Sequence, residues 1–456
     1  MKKCLMLFLI PALVFAILDT KWVDINRWRC AINNYGGFGG GYWPFPYQNY
    51  YIFGAGFWLG WAPSDTITTL GYNPNTGGRE VVPTLCWYWR EGYTNSLDRV
   101  YKYPGDWPAP LSRFPMAPQI NLSNMDLWCC FCDSDPSWHT TGGRPIGIDI
   151  ALTTYGFSDS LAQDFFFMKY DIINNNAYPI NNLYFGIILD ADIGNANDDM
   201  VGLLRDRNFT VGTQIIRVKN TGYVYDYDNN EPPGQNWQSG TPGAIAIRLL
   251  RAPTGLTMTA FKKFSIDFDP IYDRDQYLTL AGYNYQTGAY EPFDSIDLTP
   301  GDKRFLLASG PFNLNAFSTV SFHYAVIGAQ YGEAGALPNN RDTTQLAWQS
   351  YLADSIYRAR IINVGIAENL NARDNQNITI YPNPVRSYLN IKSKQGRLLT
   401  VEIYNVNGAL VNLLTGNDKL QWDGTDNRQQ KLPNGIYFVK VISENQTGLS
   451  KVLLLR

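Results

Sequence analysis

Runs of alternating aromatic and β-branched residues, each closed off by Gly, Pro, Asn or Asp, recur along almost the whole chain. Phe165 to Ile172, Asn182 to Leu189 and Val320 to Ile327 are examples. Such runs fit the pleated, half-buried surface of an antiparallel strand. With 40 Gly and 26 Pro available for turns, the pattern predicts an all-β chain built on a large β-sandwich. At 456 residues and 45% hydrophobic it carries enough apolar surface to bury a core, and its length suggests two or three domains. Lys plus Arg number 37 against 40 Asp plus Glu, for a formal charge of −3. No basic run stands out, which argues against nucleic acid as a partner, since neutralising phosphates needs a local cationic excess.

One stretch departs from strand spacing. Asp342 with Gln345 three residues later makes a capping-box pattern, and Leu346, Ala353, Ile356 and Tyr357 then recur at helical intervals. This predicts one late helix ending near Arg360. Residues 363–376 are polar, Asn-rich and aperiodic, so they read as a linker between a β-rich passenger, 17–362, and a small second domain, 377–456. At the other end, Lys2 and Lys3 precede an apolar stretch from Leu5 to Phe15, with Val14 and Ala16 at the small-residue positions of a cleavage site. Residues 1–16 therefore read as a secretory signal peptide, too short for the roughly 20 residues of a membrane span.

The second domain is dense in turn chemistry. Pro382-Asn383-Pro384 fixes a turn and removes donors, Asn407-Gly408 is a hairpin signal, and Leu432-Pro433-Asn434-Gly435 precedes a strand containing Tyr437. About seven short strands in this length fit an immunoglobulin-like β-sandwich.

These motifs, with Leu389-Asn390-Ile391, Ile403-Tyr404-Asn405-Val406 and the terminal Lys451-Val452, resemble the type A C-terminal sorting domain of the bacterial type IX secretion system. The segment Gln421 to Asn427 is similar to the related immunoglobulin-like repeat of flagellar hook-capping proteins. The resemblance implies an immunoglobulin-like fold, the type IX translocon as a partner, and delivery of an exported periplasmic cargo to the outer cell surface. It places the sorting motif at Pro382, Asn383, Pro384, Asn407, Gly408, Pro433, Gly435 and Tyr437. In the passenger, Asn33-Asn34-Tyr35-Gly36, Tyr42-Trp43-Pro44, the run Tyr51 to Gly60, and Ser309-Gly310-Pro311-Phe312 resemble the start and end of a group of secreted bacterial proteins with the same kind of tail. No activity is implied by that likeness.

The sequence offers little that resembles a reaction centre. There is no His-Glu-x-x-His helix, nucleophile elbow or phosphate loop, and no catalytic residue is assigned. Cys129-Cys130-Phe131-Cys132 followed by His139 has the ligand types of zinc but not a standard spacing; a disulfide from Cys30 or Cys86 to this cluster, or buried free thiols, are the other readings. A more chemical segment is Asp190 to Asp199. Its Asp190, Asp192, Asn195, Asn197, Asp198 and Asp199 are hard oxygen donors of the kind calcium prefers, while Gly194 and Val201 break any EF-hand register. The same residues also build Asx turns on a solvated loop. A second acidic turn, Tyr225 to Glu231, adds ligands if the fold brings it close.

Aromatic density is the remaining signal. Trp43, Trp61, Trp87 and Trp89 are candidates for stacking on a surface glycan or lipopolysaccharide, against the ordinary reading that tryptophans fill a core. The sequence therefore predicts a secreted, non-catalytic structural or binding protein of the cell surface, with calcium as its candidate cofactor. An extracellular glycan-active hydrolase using paired carboxylates is the alternative. Low charge and aromatic richness also permit self-assembly.

Overall fold

A computed structural model of the chain describes residues 18–139, 143–234, 236–294, 296–330, 342–362, 378–382, 385–393, 398–405, 410–417, 419–443 and 446–454. The predicted signal peptide and linker lie outside these residues. The chain divides into two compact units, residues 1–356 and 357–456.

The first unit is built from two antiparallel sheets. In one, the strands run in the order Thr20–Val23, Arg29–Asn33, Gly37–Tyr42, Tyr50–Trp61, Ile180–Asp190, Lys303–Leu314 and Ala260–Ser265, with Ile67–Leu70 added beside Tyr50–Trp61. The other runs Asp199–Val211, Gln214–Asp226, Gly243–Arg251, Thr319–Gln330, Phe165–Asn174, Ile148–Gly156, Met125–Cys132 and Val82–Pro83, with Tyr101–Tyr103 beside Met125–Cys132. Inward residues meet between the sheets. The Phe57 and Phe131 rings stack at 5.7 Å, and Phe185 and Phe322 at 4.8 Å. This is the interdigitated core of a sandwich, and burying each such ring contributes about 1.5–3 kcal/mol.

Alternation along a strand sends neighbours to opposite faces, so Trp58 points away from Phe57. It packs with Leu70, Phe264 and Leu280 in a second apolar cluster on the outer face of its sheet. Leu280 closes the short helix Asp273–Leu280, which the apolar pattern does not reveal. That helix is anchored through polar groups: Asp273 Oδ2 accepts from the Thr68 amide at 3.0 Å, and Thr68 Oγ1 donates to Gln276 Oε1 at 2.5 Å. Buried polar side chains take the places where a helix period expects apolar ones. The expected late helix spans Thr344–Tyr357, and Asp342 Oδ1 accepts from the Thr344 amide at 2.8 Å. Its Ser350 carbonyl accepts from buried Arg248 at 2.7 Å.

The second unit consists of a three-stranded sheet, Ile378–Tyr381, Leu389–Ser393 and Lys419–Trp422, and a four-stranded sheet, Leu410–Asn417, Leu398–Tyr404, Gly435–Ser443 and Gln446–Leu454. Leu389, Ile391, Val401, Ile403, Trp422, Val439 and Val441 share one core. That is the small sandwich expected from the sequence.

Candidate functional site

The acidic segment 190–199 is the corner where the chain leaves one sheet and enters the other. Asp190 ends the strand Ile180–Asp190, and Asp199 begins Asp199–Val211 in the opposite sheet. A corner of this kind takes its carboxylates inward, and the six candidate ligands are not brought to one point.

Asp190 and Asp192 go one way. Asp190 is the cross-strand partner of Arg304, whose Nε lies 3.2 Å from Asp190 Oδ1 and 3.6 Å from Asp269 Oδ2, with Nη1 2.5 Å from Asp302 Oδ1. Tyr72 donates its hydroxyl to Asp190 Oδ2 at 2.7 Å. On the neighbouring strand the residue opposite Asp190 is Gly54; a Cβ there would stand 2.4 Å from the Tyr72 ring. Glycine is therefore what lets Tyr72 reach the carboxylate. Burial pushes the Asp190 carboxyl up to about 7, and Asp192 up to about 6, against the opposing pull of Arg304. Ligand oxygens of Asp190, Asp192 and Asp302 approach within 4.8 Å, but the Arg304 guanidinium already pairs with Asp190 and Asp302.

Asp198 and Asp199 go the other way and meet the second acidic turn. Ligand oxygens of Asp198, Asp226 and Glu231 lie within 4.8 Å of one another. Asp199 and Asp226 are direct partners across the hairpin ladder, and both are fully buried. Asn195 and Asn197 serve the loop instead: Asn195 Oδ1 accepts from the Asn197 amide at 3.3 Å and caps the 3-10 turn Ala196–Asp198, as an Asx turn does. The carboxylates of the sequence-level ligand set thus separate into two clusters, and Asn195 stands beside the second, its backbone amide donating to Glu231 Oε1 at 2.8 Å. Arg304, Asp269, Asp302 and Tyr72 carry no sequence signal for this site; only strand pairing brings them to Asp190.

The thiols are placed by the same alternation. Cys129 faces the main core and Cys130 a separate cluster with Phe114 and Trp128, so three consecutive-looking cysteines cannot converge on zinc. Cys86, Cys132 and Asp149 approach within 4.8 Å, and all five described cysteines are free thiols. His139 bonds the Asp133 carbonyl at 2.9 Å. Burial raises the Cys30, Cys129 and Cys130 thiols far above their usual range, which leaves them inert.

Among the tryptophan candidates, Trp43 is corrected: it is 1% exposed and donates Nε1 to Asp164 Oδ1 at 3.0 Å. Its ring packs edge-on to Tyr51 at 5.6 Å, so it fills the core and offers no face to a ligand. Trp61, at the end of its strand, leans half-buried against the core. Trp89 is half-buried beneath Arg90 at 5.2 Å, while Trp87 is 63% exposed.

In the tail, Tyr437 donates its hydroxyl to the Pro433 carbonyl at 2.8 Å and meets Trp422 edge-on at 5.4 Å. This bond ties the start of the Gly435–Ser443 strand to the preceding turn, like a tyrosine corner in other immunoglobulin-like sandwiches. Pro382 is exposed, just after Tyr381 at the end of the first strand. Asn383, Pro384, Asn407 and Gly408 lie outside the described residues; the strands flanking the last two pair antiparallel, Tyr404 opposite Leu410.

Residues 379–454 match the family model of the secretion system C-terminal sorting domain. The tail is such a domain, so the chain is an exported protein handled by the type IX secretion machinery and destined for the cell surface or for secretion. No curated protein matches the chain. Solved structures similar to it include a polysaccharide lyase, 9% identical over 85% of this chain and 44% of that one, at a TM-score of 0.19. Dimeric latent PorU from Porphyromonas gingivalis is 12% identical over 64% of this chain and 31% of its own, at 0.15. PorZ, a surface component of the type IX secretion system of the same organism, is 11% identical over 73% and 43%, at 0.16. The chain spans less than half the length of each, and at these TM-scores the likenesses carry no argument.

Proposed function

We propose that the passenger is a non-catalytic binding protein of the cell surface, carried there by its sorting domain, and that its ligand is a surface glycan, lipopolysaccharide included. The supporting observation is the lining of two open hollows. The first, of about 250 Å³, is walled by Lys263, Phe264, Phe268, Tyr283, Tyr285 and Asp294, among others. Asp294 is the one carboxylate in this lining, and it is already held by Lys262 Nζ at 2.8 Å and the Lys263 amide at 3.1 Å. The second, of about 260 Å³, lies over the glycine-rich strands beside Tyr35, Phe53, Tyr72 and Arg79, and no carboxylate among the described residues lines it. Glycoside hydrolysis needs two carboxyl groups roughly 5–10 Å apart across the scissile bond. Aromatic faces flanked by fixed charges suit stacking against sugar rings instead.

Exposed rings stand at the first hollow: Phe268 is 54% exposed, and Tyr290, 63% exposed, contacts Tyr283 at 5.1 Å between centroids. The test is binding of the purified secreted protein to a panel of polysaccharides and lipopolysaccharide. Phe268→Ala with Tyr290→Ala should weaken binding by about tenfold, the loss expected on removing stacking rings. Release of reducing ends from any panel member would overturn the reading. For delivery, deletion of residues 377–456 should strand the chain in the periplasm. N-terminal sequencing of the exported form should find Ile17 first.

A further inference from the structure

The hairpin formed by Asp199–Val211 and Gln214–Asp226 sets two aspartates directly opposite each other at its end, Asp199 against Asp226. Directly opposed residues share a face of the ladder, where like charges destabilise. Exposure is 0% for Asp199 and 1% for Asp226, so water does little to screen them. One oxygen of each is used: Asp199 Oδ2 accepts from the Ile193 amide at 3.1 Å, and Asp226 Oδ1 from the Asn230 amide at 3.1 Å. Asp199 Oδ1 and Asp226 Oδ2 have no hydrogen-bond partner, and neither has Asp198 Oδ1 beside them.

The charged neighbours that act most strongly on these groups are all acidic. Asp198, Asp228 and Glu231 act on Asp226, while Asp192, Asp226 and Asp198 act on Asp199. Among the described residues no Lys, Arg or His pairs with Asp198, Asp199, Asp226, Asp228 or Glu231, in contrast to Asp190 with its Arg304. Burial and these like charges push the Asp226 carboxyl up to about 7.

The loop is shaped to admit the third carboxylate. Gly194 has φ +65°, and a Cβ on it would stand 2.3 Å from Glu231 Cδ and 2.5 Å from Oε2. The Asn195 amide then donates to Glu231 Oε1 at 2.8 Å. Gly194, which breaks an EF-hand register, is what allows a residue 37 positions later in the chain to enter the corner. Calcium binds oxygens at about 2.3–2.6 Å, so two of its ligands are separated by at most roughly 5 Å. Three carboxylate oxygens mutually within 4.8 Å fit inside one such coordination sphere, and an all-oxygen set suits a hard cation over zinc.

We propose that Asp198, Asp226 and Glu231 hold one structural calcium ion, whose charge compensates the buried Asp199–Asp226 pair and pins the sheet-to-sheet corner to the Tyr225 to Glu231 turn. The purified full chain, stripped with a chelator, is titrated with terbium chloride while Tyr225 and Tyr227 are excited, and the bound lanthanide is then displaced with calcium chloride. Saturable sensitised emission, its reversal by calcium, and a calcium-dependent rise in Tm are the expected results. Asp226→Asn combined with Glu231→Gln should lower calcium affinity by about tenfold or more, the scale expected when carboxylate ligands are lost, while Asp192→Asn keeps it within about twofold. If the double variant does not fold, the wild-type titration decides alone. Absence of calcium-reversible emission and of a Tm shift, or an undiminished affinity in the double variant, would overturn the proposal and leave protonation as the way these carboxyls are neutralised.

Discussion

The two halves of one ten-residue acidic corner solve the same electrostatic problem differently. Asp190 is paired with Arg304, its cross-strand partner, with Tyr72 on its other oxygen. Eight residues on, Asp198 and Asp199 face Asp226 and Glu231, and no Lys, Arg or His among the described residues pairs with them. A buried carboxylate without a counter-charge costs several kcal/mol; the first half shares one guanidinium among Asp190, Asp269 and Asp302, whereas the second calls for a proton or an ion from solution. The lesson is that an acidic cluster is read as a metal centre by what is missing around it, not by how many carboxylates it holds. His323 shows a third outcome: 5% exposed between Lys169 and Arg251, it is driven down to about 3 by burial first and those charges second, and so stays neutral.

The sharpest way to break the comparison is to remove the internal cation. Arg304→Met should cost about 3–5 kcal/mol in denaturant unfolding, because it strands Asp190 and Asp269 in the interior. It should also make the Asp190 half respond to calcium where the wild type does not. A loss below about 1 kcal/mol would mean that Arg304 is not the compensating charge.

Gly194→Ala probes the other half. A Cβ at φ +65° must displace the Glu231 carboxyl, and the substitution should cost about 1–3 kcal/mol while weakening the calcium-dependent Tm shift. Equal loss with and without calcium would separate backbone strain from ligand placement.

At neutral pH the effect at His323 is the smallest, because it emerges only on acidification. Its folded pKa lies below the unfolded value, so the neutral form contributes stability that is present above about 6.5 and is lost as pH falls towards 3. His323→Gln should flatten the acid limb of the stability curve by at most about 1.4 kcal/mol per pH unit. An unchanged limb would assign it to other groups.

Much of the architecture is legible in the sequence because strand period and turn residues are local. The sandwich, the helix behind Asp342 and the small second domain follow from such patterns, as does the tail's identity from motifs such as Pro433 to Tyr437. The helix Asp273–Leu280 is hidden because Asp273 and Gln276, buried by hydrogen bonds to Thr68, occupy positions where apolar residues would mark it. Trp43 illustrates the opposite limit: its surroundings of Tyr and Pro say nothing about whether the ring faces Tyr51 or solvent. The acidic corner is half legible. Its donor types are plain in the sequence, but which carboxylates meet is decided by pairings over long separations, Asp190 with Arg304 and Asp199 with Asp226.

The most direct test of this contrast is diffraction from crystals of the exported protein grown with terbium in place of calcium, using the anomalous signal to locate the ion. A peak is expected where Asp198, Asp226 and Glu231 meet, and none between Asp190, Asp192 and Asp302. A peak beside Arg304, or no peak at either half of the corner, would contradict it.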